Sequence, residues 1–189
     1  SEFTIGNGQT FSTTGPNQYV FRIGNGGDLT IAEGGTFDFS TSAGLGILAE
    51  AGTTGQRLTI EGGATARADR YFNETGFTTE FVANASGVTT FEITNLLFLR
   101  TGPLELDLTN YDISNGDTLV LFDYAAIGGP GAFGSVTFSP LWSGTIDYAY
   151  DIGGGDLGIA VTNLSVVPEP SSTALLGLGG LALLLRRRR

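Results

Sequence analysis

Short runs in which apolar and polar residues alternate, separated by Gly, Asn and Thr, fill residues 1–166. Thr36-Phe37-Asp38-Phe39, Leu104-Glu105-Leu106-Asp107-Leu108 and Ile146-Asp147-Tyr148-Ala149-Tyr150 each place their apolar residues on one face of an extended chain. Leu119-Val120-Leu121-Phe122 is a continuous apolar run, which suits a strand buried on both faces or a packed edge. No segment of a dozen residues carries a helical period. Thr, Val, Ile, Phe and Tyr favour pleated surfaces, and the Gly-rich joins permit tight turns. The pattern predicts an all-β body.

Two recurrences narrow the architecture. Phe3-Thr4-Ile5-Gly6-Asn7-Gly8 returns 18 residues later as Phe21-Arg22-Ile23-Gly24-Asn25-Gly26. Leu29-Thr30-Ile31 returns as Leu58-Thr59-Ile60 at an offset of 29. Intervals of this size point to stacked turns that bury each other's apolar faces. A right-handed β-helix over residues 1–102 is the first expectation. The two periods disagree, which leaves an irregular solenoid or a β-sandwich open.

Composition limits the chemistry. The chain of 189 residues has no Cys, His, Met or Lys. Disulfides, imidazole acid/base catalysis, Schiff bases and the common zinc sites are therefore excluded. No metal site, cofactor or catalytic residue is assigned. The first residue is Ser1 rather than Met, and a preceding export segment is expected.

Charge divides the chain in two. Residues 1–166 carry 18 Asp and Glu against five Arg, a balance of −13. Such a body is unsuited to nucleic acid, whose phosphates require clustered cations. The remainder is different: Val167-Pro168-Glu169-Pro170, an uncharged stretch from Ser171 to Leu185, and then Arg186, Arg187, Arg188 and Arg189. As a helix the 15 uncharged residues would span about 22 Å, short of the roughly 30 Å hydrocarbon core. Even so, Leu175, Leu176, Leu178, Leu181, Leu183, Leu184 and Leu185 surround such a helix without leaving a polar stripe. Pro168 and Pro170 separate it from the body. The terminal Arg heads can snorkel to the interface and extend the span. They also fix its orientation, with Arg on the cytoplasmic side and the acidic body outside. A transmembrane helix is the expectation, with a C-terminal core helix as the alternative.

These residues resemble the PEP-CTERM sorting signal. Pro-Glu-Pro, the Leu/Gly/Ala segment with Gly177, Gly179 and Gly180, and the closing Arg cluster occur in the order of that tripartite tail. The resemblance implies an exported protein of a Gram-negative, exopolysaccharide-producing bacterium. It also implies transient inner-membrane anchoring and processing by the transpeptidase-like enzyme exosortase near Pro-Glu-Pro. Pro168, Glu169 and Pro170 would be the recognition element, the leucines the anchor, and Arg186 to Arg189 the cytoplasmic stop.

After Gly102-Pro103 the texture changes. The segments Gly116–Tyr124, Gly131–Val136 and Leu157–Val161 resemble the end section of autotransporter-like β-helical proteins, which caps a solenoid. The expected organisation is a β-solenoid over residues 1–102, a capping β unit over 103–162 and a linker with Pro-Glu-Pro over 163–170. The sorting helix and Arg tail follow over 171–189.

Three further chemistries have candidate residues in the body. Asp112-Ile113-Ser114-Asn115-Gly116-Asp117 offers oxygen ligands, but it lacks the closing Glu of an EF-hand loop. Gly26-Gly27-Asp28-Leu29 matches one fragment of a calcium nonapeptide without tandem copies. Turn formation by Asp and Asn is the expected role of both. Carboxylate catalysis needs a selected pair, and Glu61, Glu92 or Asp147 would be arbitrary choices. Tyr19, Tyr71, Tyr124, Trp142, Tyr148 and Tyr150 could form sugar platforms, although aromatic rings more often fill a core. The leading expectation is a non-enzymatic cell-surface or exopolysaccharide-matrix protein. A glycan-binding adhesin and a polysaccharide-degrading enzyme are the alternatives. Exosortase, the inner membrane and exopolysaccharide are the expected partners.

Overall fold

The computed structural model describes residues 1–13, 21–41, 47–49 and 54–167. These residues are almost entirely strand and turn, and the chain passes back and forth between two sheets. One sheet has six strands in the order β1 (Glu2–Ile5), β4 (Asp28–Ile31), β7 (Gln56–Glu61), β9 (Phe77–Val82), β11 (Pro103–Asp107) and β14 (Ser135–Phe138). All neighbours in it are parallel. The other sheet contains β2 (Thr10–Ser12), β5 (Thr36–Phe39), β8 (Thr65–Asn73), β10 (Phe91–Leu99) and β12 (Leu119–Tyr124), again in parallel register. The short strands β3 (Phe21–Ile23), β6 (Ile47–Ala49) and β13 (Ile127–Gly128) extend it. It is closed by the antiparallel pair β15 (Trp142–Gly153) and β16 (Asp156–Val166), with β16 lying against β12.

Register turns the alternation into a layered core. On the six-stranded sheet the inward row Ile5, Ile31, Ile60, Phe81, Leu106 and Phe138 runs across all six strands. The facing sheet contributes Phe11, Phe37, Ala66, Phe91 and Phe122. Ala66 leaves room between Phe37 and Phe91, so large and small side chains interdigitate. The two sheets meet where the Phe81 and Phe122 rings approach edge to face at 5.2 Å. Thr79 is a polar inward position, buried in the row between Leu58 and Leu104. Its hydroxyl is satisfied by the Tyr71 hydroxyl and by Asn73 Nδ2.

The recurrences acquire distinct meanings. Leu29-Thr30-Ile31 and Leu58-Thr59-Ile60 are directly hydrogen-bonded neighbours in register. Phe3-Thr4-Ile5 and Phe21-Arg22-Ile23 lie in different sheets; their similarity is that of two corners sharing a Gly-Asn-Gly turn.

Three expectations require correction. The run Leu119–Phe122 is not a doubly buried strand: the register against β16 slips between Val120 and Phe122, so both Leu121 and Phe122 point inward. A β-bulge accounts for the continuous apolar run. The change of texture at Gly102-Pro103 does not coincide with a change of pairing, because β11 continues the parallel sheet beyond β9. Among the named strands, antiparallel pairing is confined to β15 with β16 and β16 with β12. Residues 163–166, expected to open the linker, form the end of β16.

Among the described residues no helix is long and apolar enough to cross a membrane. The segment expected to do so lies outside them, as do Pro168, Glu169, Pro170, the seven leucines and Arg186 to Arg189.

Candidate functional site

The point at which the C-terminal segment leaves the body is fastened from both flanks. On one side β15 begins with the turn Ser139-Pro140-Leu141-Trp142, in which the Trp142 N–H donates to the Ser139 carbonyl at 3.2 Å. Pro at its second position suits this turn, and the third position is one where Gly is favoured because φ must be positive. Leu141 occupies it with φ of 71°. Left-handed backbone costs a residue with a Cβ about 1 kcal/mol. Leu141 nevertheless leaves its side chain 43% exposed.

The outgoing strand follows the same turn. Val166 pairs with Trp142, and the Val167 N–H donates to the Leu141 carbonyl at 2.6 Å. The Ser143 and Ser165 hydroxyls meet at 2.9 Å one step inward. On the other flank the buried Leu164 donates its N–H to the Asp117 carbonyl at 2.9 Å. The loop that supplies Asp117 is itself fixed. The Tyr111 ring packs at a tilt against Trp142, with centroids 5.8 Å apart, and its hydroxyl donates to the Gly116 carbonyl at 2.8 Å. Trp142 opens a strand and packs on Tyr111. Val166 and Val167 remain about half exposed, at 47% and 48%, beside Leu141.

Residues 166–189 match the PEP-CTERM protein-sorting motif. The chain carries a PEP-CTERM sorting tail. The motif marks it as an exported, envelope-associated protein processed by exosortase. The match begins on Val166, the last residue of β16. No curated protein and no solved structure matches the chain.

The carboxylates considered from the sequence are dispersed. Glu61 Oε2 accepts the Glu33 N–H at 3.0 Å, Glu92 pairs with Arg67 at 2.8 Å, and Asp147 Oδ1 accepts the Ala149 N–H at 2.9 Å. Register brings together a different pair. Glu80 and Glu105 are neighbours across β9 and β11, on the row Thr4, Thr30, Thr59, Glu80, Glu105 and Thr137. Both carboxylates meet a single nitrogen, Arg57 Nη1, at 3.1 and 2.7 Å. They border a groove of about 320 Å³ that Asp107, Thr137, Ser139 and Pro140 also line. Sequence spacing could not reveal this pair, because the two glutamates meet only once the strands are in register.

Asp112 is engaged in local turn geometry. Its Oδ1 accepts the Ser114 N–H at 2.9 Å, and bonds from the Ser114 backbone and side chain hold its carboxyl below the usual carboxylate range. Tyr71 is fully buried, and that burial pushes its hydroxyl pKa well above the usual value. The Tyr124 hydroxyl donates to the Tyr148 carbonyl at 2.6 Å, and the Tyr148 hydroxyl accepts the Phe133 N–H at 3.2 Å. These rings belong to the packing of the body. Tyr19 lies outside the described residues.

Proposed function

We propose that the body is a short β-helical solenoid that serves as a structural or adhesive module of the cell surface or exopolysaccharide matrix, without catalytic activity. The observation that carries this reading is the junction itself: a sorting tail begins on the final residue of a body built from stacked parallel strands. Stacked strands give a rigid element whose outer rows of Thr, Ser and carboxylates suit a hydrated polysaccharide environment. Glu80 and Glu105 support a structural role because both are tied to Arg57.

In the same reading the tail acts in three parts. The leucine-rich run holds the chain in the inner membrane, and Arg186 to Arg189 stop translocation on the cytoplasmic side. Pro168-Glu169-Pro170 presents an extended substrate, since the prolines lack backbone donors and resist helix formation. Replacing Pro168-Glu169-Pro170 with three alanines tests this in an exosortase-positive host. The variant is expected to stay membrane-bound at precursor size while the parent is shortened and released. Equal processing of both would refute the assignment. Incubating the exported body with polysaccharide tests the other half, because release of new reducing ends would establish an enzyme instead.

A further inference from the structure

Leu141 is costly twice over. It is a leucine at a turn position where glycine is favoured, and it exposes an apolar side chain to water. Backbone outliers of this kind gather at functional sites. Its neighbours are Val166, paired with Trp142, and Val167, whose N–H it binds. Three exposed apolar side chains thus surround the point where the chain departs.

The length of chain beyond that point identifies what covers them. Only Pro168, Glu169 and Pro170 stand between Val167 and Ser171, where the uncharged run begins. Four Cα steps reach at most about 14 Å. A bilayer adds an interfacial layer of roughly 5–7 Å to each side of its hydrocarbon core. With the run inserted, this tether is short enough for Leu141, Val166 and Val167 to reach that layer.

We propose that Leu141, Val166 and Val167 form a membrane-contacting patch that seats the body on the bilayer interface before processing. The patch is small and would bind lipid weakly by itself. Tethering by the tail supplies a high local concentration of lipid, so weak contact suffices. The adjoining loop carries Asp112 and Asp117, which offer anionic headgroups no attraction. The contact is therefore apolar, and a zwitterionic phosphatidylcholine surface fits it. This inference rests on the tail being inserted in the membrane.

Trp142 is the single tryptophan of the chain and borders the patch, so it reports the contact directly. The full chain is reconstituted into phosphatidylcholine vesicles, washed with alkaline carbonate, and compared in plain and brominated lipid. Brominated lipid is expected to quench Trp142 emission in the parent. The quenching should be lost in L141G and in the V166S/V167S double variant, while both remain with the vesicles after the wash. L141G places the favoured residue at the turn, so it preserves the fold; an unchanged circular dichroism spectrum and an undiminished melting temperature confirm this. Proximity imposed by the tether alone would quench parent and variants equally, and that result overturns the patch while leaving the anchor intact. Loss of the parent itself from the washed vesicles refutes membrane insertion, and the patch falls with it.

Discussion

Arg57 and Glu105 are bonded at 2.7 Å although they belong to strands that are not paired, with β9 between them. The Arg57 side chain, from β7, crosses β9 to reach β11, and meets Glu80 at 3.1 Å on the way. One cation thus bridges two carboxylates that parallel register forces side by side, and offsets part of their repulsion.

Removing that cation should be felt in proportion to the partial exposure of all three groups. R57L is expected to destabilise the body by about 1 kcal/mol, the scale of two partly solvated ion pairs. Urea denaturation at low and high salt checks this. The loss should shrink as salt screens the remaining Glu80–Glu105 repulsion, and a salt-independent loss would point to packing of the Arg57 stem instead.

Asp123 provides a pH signature. Its carboxyl is raised above the usual aspartate value by burial, then by Asp156 and by Glu92, its register neighbour. The folded state therefore holds this proton more tightly than the unfolded chain. Between the ordinary value near 3.8 and the raised folded value, stability falls as pH rises, and above that window the full cost is present. D123N should be more stable than the parent at neutral pH, with the advantage narrowing as pH falls through the window. Thermal melts of both proteins across that range measure the difference. A constant gap would show that ionisation of Asp123 is not its source.

Gln56 is a buried polar residue whose side-chain amide is unpaired among the described residues. It is 1% exposed at the start of β7, and neither its amide nitrogen nor its amide oxygen has a hydrogen-bond partner among those residues. An unsatisfied buried amide costs about 1–3 kcal/mol. Q56M keeps the length and removes the amide, so it is expected to raise stability by about 1 kcal/mol in a denaturant titration. A lower midpoint would mean that the amide is satisfied in solution.

Much of the fold was legible because inward and outward positions alternate along many of its strands. Phe37 and Phe39 are buried as the pattern of Thr36–Phe39 requires, as are Leu104, Leu106 and Leu108. Leu121 was misread because a bulge breaks the period of two that every such reading assumes. The correspondence of Phe3-Thr4-Ile5 with Phe21-Arg22-Ile23 misled for another reason: corners of similar chemistry recur within one pass of the chain, whereas the register partner of Phe3 is the dissimilar Leu29. The tail was legible as a motif because its parts are contiguous. Its exit was not, since the left-handed backbone of Leu141 and its place beside Val167 depend on residues that meet only through the β15–β16 pairing.

The C-terminal residue of the exported protein tests the account most directly. Mass spectrometry of the form recovered outside the inner membrane of an exosortase-positive host should find a chain that ends at or beside Pro168–Pro170 and lacks the leucine-rich run and Arg186 to Arg189. The same host without exosortase should retain the precursor in its inner membrane. A mature form that still ends in Arg189 when exosortase is present would contradict the account.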